Sequence, residues 1–445
     1  MGILGSGMSA IAQYCAWSSI RVSGSDRLKD SIDVKNPQEK LISLGSMLYP
    51  QDGSGIIQKP DAVVVSTAIE ENNPDIAAAR KIGIPIYHRS DVLAAIVATK
   101  RCIAVAGTSG KSTVTAMIWE FLFACGKGPS LISGATLKCL EEKGLIGNAY
   151  CGESDLLVIE ADESDGTLVK YHPAITVVLN ISKDHKPVPE TLELFKTLAS
   201  QSGAVIINAD DKQLSVIPHA LTYGTEKGAT VFPSAVHFLN PYVSFSRNGR
   251  VFDLPLPGKH NLSNCLAAIA ICEMEGCTTQ DLADAVRAYK GVYRRFTITE
   301  LQNGITVIDD YAHNPEKIRA AIEAAQGFSK RVIAVFQPHG FGPTRFLKDD
   351  LVAMFSEVLR SEDLLFLLPI YYAGGTAQKD ISSDDIISLV KANGKAAIVA
   401  QNRPDLIHRI KLWAKPHDAV LVMGARDPSL GSLAKQLCAD LAFIS

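Results

Sequence analysis

The chain has 445 residues, 47% apolar and 20% charged, with a formal net charge of −3. That length accommodates roughly two to four globular domains, and the slight acidity argues against nucleic acid or an anionic membrane as the main partner. Nine scattered cysteines without a C-x-x-C pair fit reduced thiols in a cytoplasmic enzyme better than disulfides or structural zinc, the first twenty residues do not read as a signal peptide, and no apolar run reaches membrane-spanning length.

Residues 1–98 alternate short apolar runs with helical stretches, as a parallel doubly wound sheet requires. The first loop, Gly2-Ile3-Leu4-Gly5-Ser6-Gly7-Met8-Ser9, opens a helix, and "VSGSD" (22–26) ends a strand with Asp26. Small residues at a helix N-terminus suit a diphosphate, and an acid after the second strand suits a ribose or base. A tight turn with no ligand explains the same glycines equally well. Almost no residues precede Gly2 to form the expected first strand, which suggests that a few are missing there. "AVVVSTAI" (62–69) is a strand and its exit, 73–83 a helix stopped by Gly83, and "IPIYH" (84–88) the next strand.

A second block, 99–293, begins with "AVAGTSGKSTVTAM" (105–118). The usual phosphate loop has four residues between its glycines, whereas Gly107 and Gly110 are separated by two. The physics survives the shortening. Gly107, Thr108, Ser109 and Gly110 turn backbone N–H groups toward an anion at a helix N-terminus. Lys111 reaches terminal phosphate oxygens, and the hydroxyl of Ser112 or Thr113 can ligate Mg²⁺.

The strand "DLLVIEAD" (155–162) ends in Glu160, Asp162, Glu163 and Asp165. Carboxylates at the end of a buried strand call for compensation, and a divalent cation beside the phosphate loop supplies it. An acidic exit loop in water describes Glu163 and Asp165 better than Glu160. After "AITVVLNIS" (174–182), His185 occupies the matching position on the next strand and reads as a ligand beside Glu160. Lys196 follows on a helix, where a lysine is usually a solvated charge. "GAVIINADD" (203–211) is a further strand, 229–255 is polar and β-like, and a helix starts at Asn261 with Asn264 one turn on. These amides could read a purine edge or cap the helix.

"VYRRF" (292–296) carries two guanidiniums at a block junction, as a phosphate clamp or as linker charges. The third block, 294–445, again alternates, with strands in 305–312, 331–338, 363–371, 395–400 and 418–425. "VIDDYAHNP" (307–315) and "FQPHGFGPTRF" (336–346) place Asp310, His313, His339 and Arg345 at strand exits, where open α/β sheets bind ligands.

In this order, "SGSD", "VVVSTAI", "GTSGKSTVTAM", "EADESD", "NISKDH", "GKHNLSN", "RRF", "DDYAHNP" and "FQPH" resemble the Mur ligase family of ATP-dependent amide-bond enzymes, over nearly the whole chain and nearest its alanine-adding branch. The resemblance implies three α/β domains: a Rossmann-like UDP-sugar domain (1–98), a central P-loop ATPase-like domain (99–293) and a C-terminal Rossmann-like domain on the amino-acid side (294–445). It implies that ATP activates the lactyl carboxylate of UDP-N-acetylmuramate as an acyl phosphate, which an amino acid, L-alanine in that branch, then attacks. The third block is expected to close during the reaction. Two Mg²⁺ ions are implied, with Ser112, Glu160 and His185 as ligands, and Lys196 near the place of a carbamylated lysine in several members.

Among the ATP residues, the resemblance gives Lys111 the terminal phosphate, Asn264 the adenine, Arg295 a phosphate and Asp310 the ribose. It gives Gly5, Ser6, Gly7, Met8, Ser9, Asp26, Ser66 and Thr67 to the UDP-sugar, and His313 and His339 to the amino-acid side. Lys111, Glu160, His185, Arg295 and His339 are the implied catalytic set, in a cytoplasmic monomer or homodimer. Departures cluster on the amino-acid side. Gly340 and Pro343 replace arginines usual after "FQPH", leaving Arg345, and the final turn reads Gly424-Ala425-Arg426-Asp427. Two alternatives stay open: a divergent member adding another amino acid or recycling a muramyl peptide, and a non-catalytic nucleotide-binding protein.

Overall fold

A computed structural model describes residues 1–31, 35–183, 186–239, 241–372, 378–427 and 429–442. The chain divides into two compact units, one built from most of the first 293 residues and the other mainly from Arg294 onward. Both are mixed α/β, and no helix among the described residues is long and apolar enough to cross a membrane.

The first unit is organised by a seven-stranded sheet. Its order is Leu221–Tyr223, Ala204–Asn208, Ile175–Val178, Arg101–Ala106, Leu156–Glu160, Ser130–Ile132, Ala149–Tyr150. Every recorded pairing is parallel except the last. The central strands are buried on both faces, which explains why they read as unbroken apolar runs rather than alternating ones. The helix Lys111–Ala124 is buried on nearly every side, and so is Lys259–Met274, which starts two residues before the expected Asn261. Lys138 N–H donates to Gly291 O, and Tyr293 N–H to Thr136 O, so the end of this unit's chain returns to its central region.

The first 98 residues depart from the expected single sheet. They form two parallel pairs, Ser23–Ser25 with Met47–Tyr49 and Val63–Val65 with Ile86–His88. Met1 donates its terminal N–H to Val64 O at 2.7 Å and Gly2 its amide to Ser25 O at 2.7 Å. Two residues thus touch both pairs but are too few to form a ladder between them. The helices Ser6–Trp17 and Arg89–Ala98 contribute Ile11, Tyr14, Leu93 and Val97 to the same core as the central sheet.

The second unit has a six-stranded sheet ordered Thr297–Glu300, Thr306–Asp310, Asp418–Met423, Arg331–Phe336, Leu364–Leu367, Ala397–Val399, parallel after its first, antiparallel strand. Two apolar cores form from alternate residues of these strands: Ile308, Ala334 and Leu421 belong to one, Val307, Ile333 and Val420 to the other.

Candidate active site

The phosphate loop joins the strand Arg101–Ala106 to the helix Lys111–Ala124. Gly107 (φ +145°) and Gly110 (φ +85°) adopt backbone conformations that side chains disfavour. A Cβ at Gly107 would lie 2.9 Å from Leu179 Cβ, and one at Gly110 only 2.6 Å from Asn264 Oδ1. The N-cap residue, Gly110, has no side chain with which to cap the helix, and a helix N-terminus of this kind suits an anion.

Asn180 holds this loop from the neighbouring strand exit. Its Oδ1 accepts from Ser109 N–H (2.8 Å) and Thr108 Oγ1 (3.0 Å), and its Nδ2 donates to Ser109 O (3.0 Å). Thr108 Oγ1 also accepts from Ser182 N–H at 3.0 Å. Asn180 opens the segment "NISKDH", and the sequence alone assigns it no role. The available signal was an amide directly after the apolar run that pairs with the loop strand.

Lys111 Nζ donates to Gly107 O at 2.8 Å and Glu163 Oε2 at 2.6 Å, and Asp162 Oδ1 lies 3.5 Å away. Burial works to lower its pKa, but Glu163, Asp162 and Glu160 together outweigh it and hold the ammonium above its ordinary value. Glu163, expected in water, is buried against this lysine, because the chain turns inward immediately after the strand. Asp165 pairs instead with Arg89 at 3.4 Å and accepts from Thr167 N–H at 3.0 Å.

Glu160 is half-buried and oriented by three donors. Ser133 Oγ (2.6 Å) and Gly134 N–H (3.1 Å) bond one oxygen, and Ser112 Oγ (3.2 Å) bonds the other. Thr113 is buried within the helix. Among the described residues no three His, Cys, Asp or Glu side chains form a metal-holding group. Ser112 and Glu160 are nevertheless adjacent hard oxygen donors at the phosphate loop, a set that fits Mg²⁺, which usually completes its shell with phosphate oxygens and water. His185 lies outside the described residues. Lys196 is a partly exposed lysine paired with Glu193 one turn back at 2.8 Å, and among the described residues it makes no bond to the phosphate loop.

At the N-terminal loop, Gly5 and Ser6 are exposed at the start of an uncapped helix, Gly7 is half-buried, and Met8 and Ser9 are buried. Asn148 Nδ2 fixes this end by donating to Ser6 O (2.6 Å) and Ser9 Oγ (2.9 Å). Asp26 accepts from Leu4 N–H and Leu28 N–H, each at 2.9 Å, so it shapes the loop directly. Ser66 and Thr67 follow the strand Val63–Val65, half-buried and exposed respectively. Arg89, which sequence reasoning passed over, lies with Nη1 2.5 Å from the point a Cβ on Gly7 would occupy, adding positive charge to this helix N-terminus.

In the second unit the expected residues gather around Tyr311. The guanidinium of Arg295 lies 4.9 Å from its ring centroid and that of Arg294 5.2 Å. The His313 ring lies 5.8 Å from Tyr311 and 5.6 Å from His339. Asp310 accepts from Phe296 N–H and Ala312 N–H, each at 2.7 Å. Burial holds its carboxyl above the ordinary value, partly offset by Arg295. Arg426 N–H donates to Tyr311 Oη at 3.4 Å. Arg345 is turned away into an ion pair with Asp380.

Comparison with known proteins agrees with this arrangement. Residues 1–101 match the Mur ligase family catalytic domain, 105–272 the Mur ligase middle domain, and 294–426 the Mur ligase glutamate ligase domain. A UDP-N-acetylmuramate–L-alanine ligase of Pelotomaculum thermopropionicum is 35% identical, with 96% of this chain and 94% of the relative aligned. Its counterpart from Agrobacterium fabrum is 33% identical over 96% and 93%. The crystal structure of the UDP-N-acetylmuramate-alanine ligase MurC of Thermotoga maritima superposes with a TM-score of 0.79 at 26% identity, covering 98% of this chain and 97% of that one. A murein peptide ligase of Psychrobacter arcticus shares the fold, with a TM-score of 0.67 at 20% identity over 100% and 98%. Three family segments in order, and relatives a third identical from end to end, establish that the chain belongs to the Mur ligase family.

Proposed function

We propose that this chain is an ATP-dependent ligase joining L-alanine to the lactyl carboxylate of UDP-N-acetylmuramate, a step of peptidoglycan synthesis carried out in the cytoplasm. The observation that carries the reading is Lys111, held charged over the short phosphate loop by Glu163 at 2.6 Å with the Ser112–Glu160 pair beside it. A protein that only bound a nucleotide would not need this buried set of opposed charges.

The chemistry follows from what these groups do. The N–H groups after Gly110 and the Lys111 ammonium receive phosphate oxygens, and the lysine exchanges Glu163 for the γ-phosphate as ATP enters. The lactyl carboxylate takes the γ-phosphoryl group, and the amine of the amino acid displaces phosphate from the resulting acyl phosphate. Ser112, Glu160 and His185 are the residues proposed to hold Mg²⁺, two ions in all. The metal supplies charge neutralisation between carboxylate and phosphates. Asn180 keeps the loop's donors aimed and Asn264, against Gly110, lines the nucleotide side. Gly5, Ser6, Gly7, Met8, Ser9, Asp26, Ser66 and Thr67 are assigned to the UDP-sugar. Arg295 and Asp310 are assigned to the nucleotide, and His313, His339 and Arg426 to the amino acid.

The test is phosphate release from ATP and Mg²⁺ with UDP-N-acetylmuramate and each of the twenty amino acids in turn. L-Alanine should give by far the highest kcat/KM. A stronger response to another amino acid would shift the chain to a divergent acceptor. Turnover only with a peptide acceptor would make it a recycling ligase, and no turnover with any acceptor would overturn the reading.

A further inference from the structure

Lys111 cannot serve a phosphate and Glu163 at once. Glu163 is 2% exposed, and its carboxylate is held by Lys111 at 2.6 Å. A buried carboxylate stripped of its cation is strongly disfavoured. On the function proposed above, ATP draws Lys111 to its terminal phosphate, so Glu163 then needs a second cation within reach.

The turn that carries Glu163 has one. Gly166 N–H donates to Glu163 O at 3.1 Å and closes the turn Glu163-Ser164-Asp165-Gly166. Lys186 reaches this turn from just before the helix Val188–Ser200, and its Nζ donates to Ser164 O at 2.9 Å and to Glu163 O at 3.3 Å. A Cβ on Gly166 would lie 3.7 Å from the same Nζ. Two further cations bond the stretch on either side and are already committed, Arg89 to Asp165 at 3.4 Å and Lys170 to Asp91 at 2.5 Å. Lys186 differs from both. It is half-buried and holds only carbonyl oxygens, with no ion pair among the described residues. An ammonium bonds a carboxylate more strongly than a neutral carbonyl, and the flexible lysine stem lets this one swing from the backbone of Glu163 to its side chain.

We propose that Lys186 is a positioning residue for ATP use: it receives the Glu163 carboxylate when Lys111 turns to the terminal phosphate. No covalent bond changes. One ion pair, Lys111–Glu163, is exchanged for two, Lys111–phosphate and Lys186–Glu163. Without the Lys186 charge, Glu163 competes with ATP for Lys111. The inference rests on the assignment of ATP to the short phosphate loop.

The test measures binding of the Mg²⁺ complex of a non-hydrolysable ATP analogue to the full-length chain by calorimetry, with no UDP-sugar or amino acid present. Lys186→Gln removes the charge and leaves an N–H donor for the two carbonyls. It should weaken binding roughly 10–100-fold, the worth of one charged hydrogen-bond pair, whereas Lys186→Arg should stay within a few-fold of the wild type. On a Glu163→Gln background the same Lys186→Gln change should cost almost nothing, because no carboxylate then awaits a cation. A strap that acts only through the backbone would show an equal loss in both backgrounds. That result, or unchanged binding in Lys186→Gln alone, would overturn the proposal while leaving the ATP assignment intact. Lys186→Met gives the same comparison should Lys186→Gln fold poorly. A folded wild type that does not bind the analogue would instead overturn the ATP assignment and this inference with it.

Discussion

Lys111 and Glu163 are in direct contact at 2.6 Å, and on the proposed function the lysine leaves that contact for the terminal phosphate of ATP. Removing the ammonium in Lys111→Ala deletes the charge intended for the terminal phosphate, and such a loss costs on the order of 10²–10³-fold in rate. Steady-state phosphate release should show that drop, together with some loss of thermal stability because Glu163 is left buried without its cation, and wild-type turnover would remove the loop from the mechanism. Asn180 acts at one remove. Asn180→Ala deletes three hydrogen bonds to Thr108 and Ser109 and should raise KM for ATP well above any change in KM for the UDP-sugar. Equal effects on both would reduce it to a general fold residue. Glu120 gives a pH test away from the chemistry. One carboxylate oxygen accepts from Lys290 N–H while the other has no partner among the described residues, and burial raises its pKa to about 7. Between its unfolded value near 4.5 and 7 the folded chain keeps a proton that the unfolded chain has lost. Stability therefore falls as pH rises through that window, and the full penalty applies above it. Glu120→Gln should gain about 1–3 kcal/mol in denaturant unfolding at pH 8 and almost nothing near pH 4.5. At this scale the sequence revealed which residue types mattered but not their pairing. Glu160 and Glu163 sit three apart in one acidic run, and only the inward turn after the strand makes one the lysine's partner and the other the serine's.

The phosphate loop shows how much of an element a sequence can carry. An apolar strand, two glycines, Gly-Lys-Ser-Thr and a helix were all legible, because each follows from local chemistry: a buried strand is apolar, and a turn against a neighbouring backbone admits only glycine. The neighbours themselves were not legible. Leu179 and Asn264 set how closely the loop is approached, and both arrive from distant segments. Gly107→Ala should therefore fail twice, through its φ of +145° and the 2.9 Å approach to Leu179. A cost of about 1–3 kcal/mol in unfolding free energy, with ATP binding lost, is expected from denaturant titration and calorimetry. Unchanged stability would mean that the loop relaxes easily. The N-terminal pairs show the opposite case. Their strands are three residues each, too short for periodicity to specify how they join.

Across the whole molecule, the strand-exit rule led to Asp310, His313, His339 and Arg426 at or just beyond the ends of sheet strands, whereas Arg345 lies inside the helix Phe341–Val358, and the rule could not rank them. Arg345 and Arg426 read alike in sequence, each following a strand, and each a replacement for the arginines lost at Gly340 and Pro343. Their surroundings differ. Arg345 is committed to Asp380 and also donates to Gln378 O at 3.3 Å. Arg426 lies beside Tyr311, whose ring gathers Arg295 and His313, and its guanidinium has no ion pair among the described residues. An amino acid's α-carboxylate needs a charged partner where water is excluded, and a guanidinium already spent on an aspartate is a poor one. Arg426→Ala should therefore lose most of the preference for L-alanine over L-alaninamide. Removing one charged hydrogen-bond pair, worth about 1.5–3 kcal/mol, corresponds to roughly 10–100-fold in the kcat/KM ratio. Arg345→Ala should keep that ratio within a few-fold. The comparison needs only kcat/KM for both acceptors in the two variants and the wild type. Loss of discrimination in Arg345→Ala instead would show that the Asp380 pair opens during the reaction, and unchanged discrimination in both would move the carboxylate to His313 and His339.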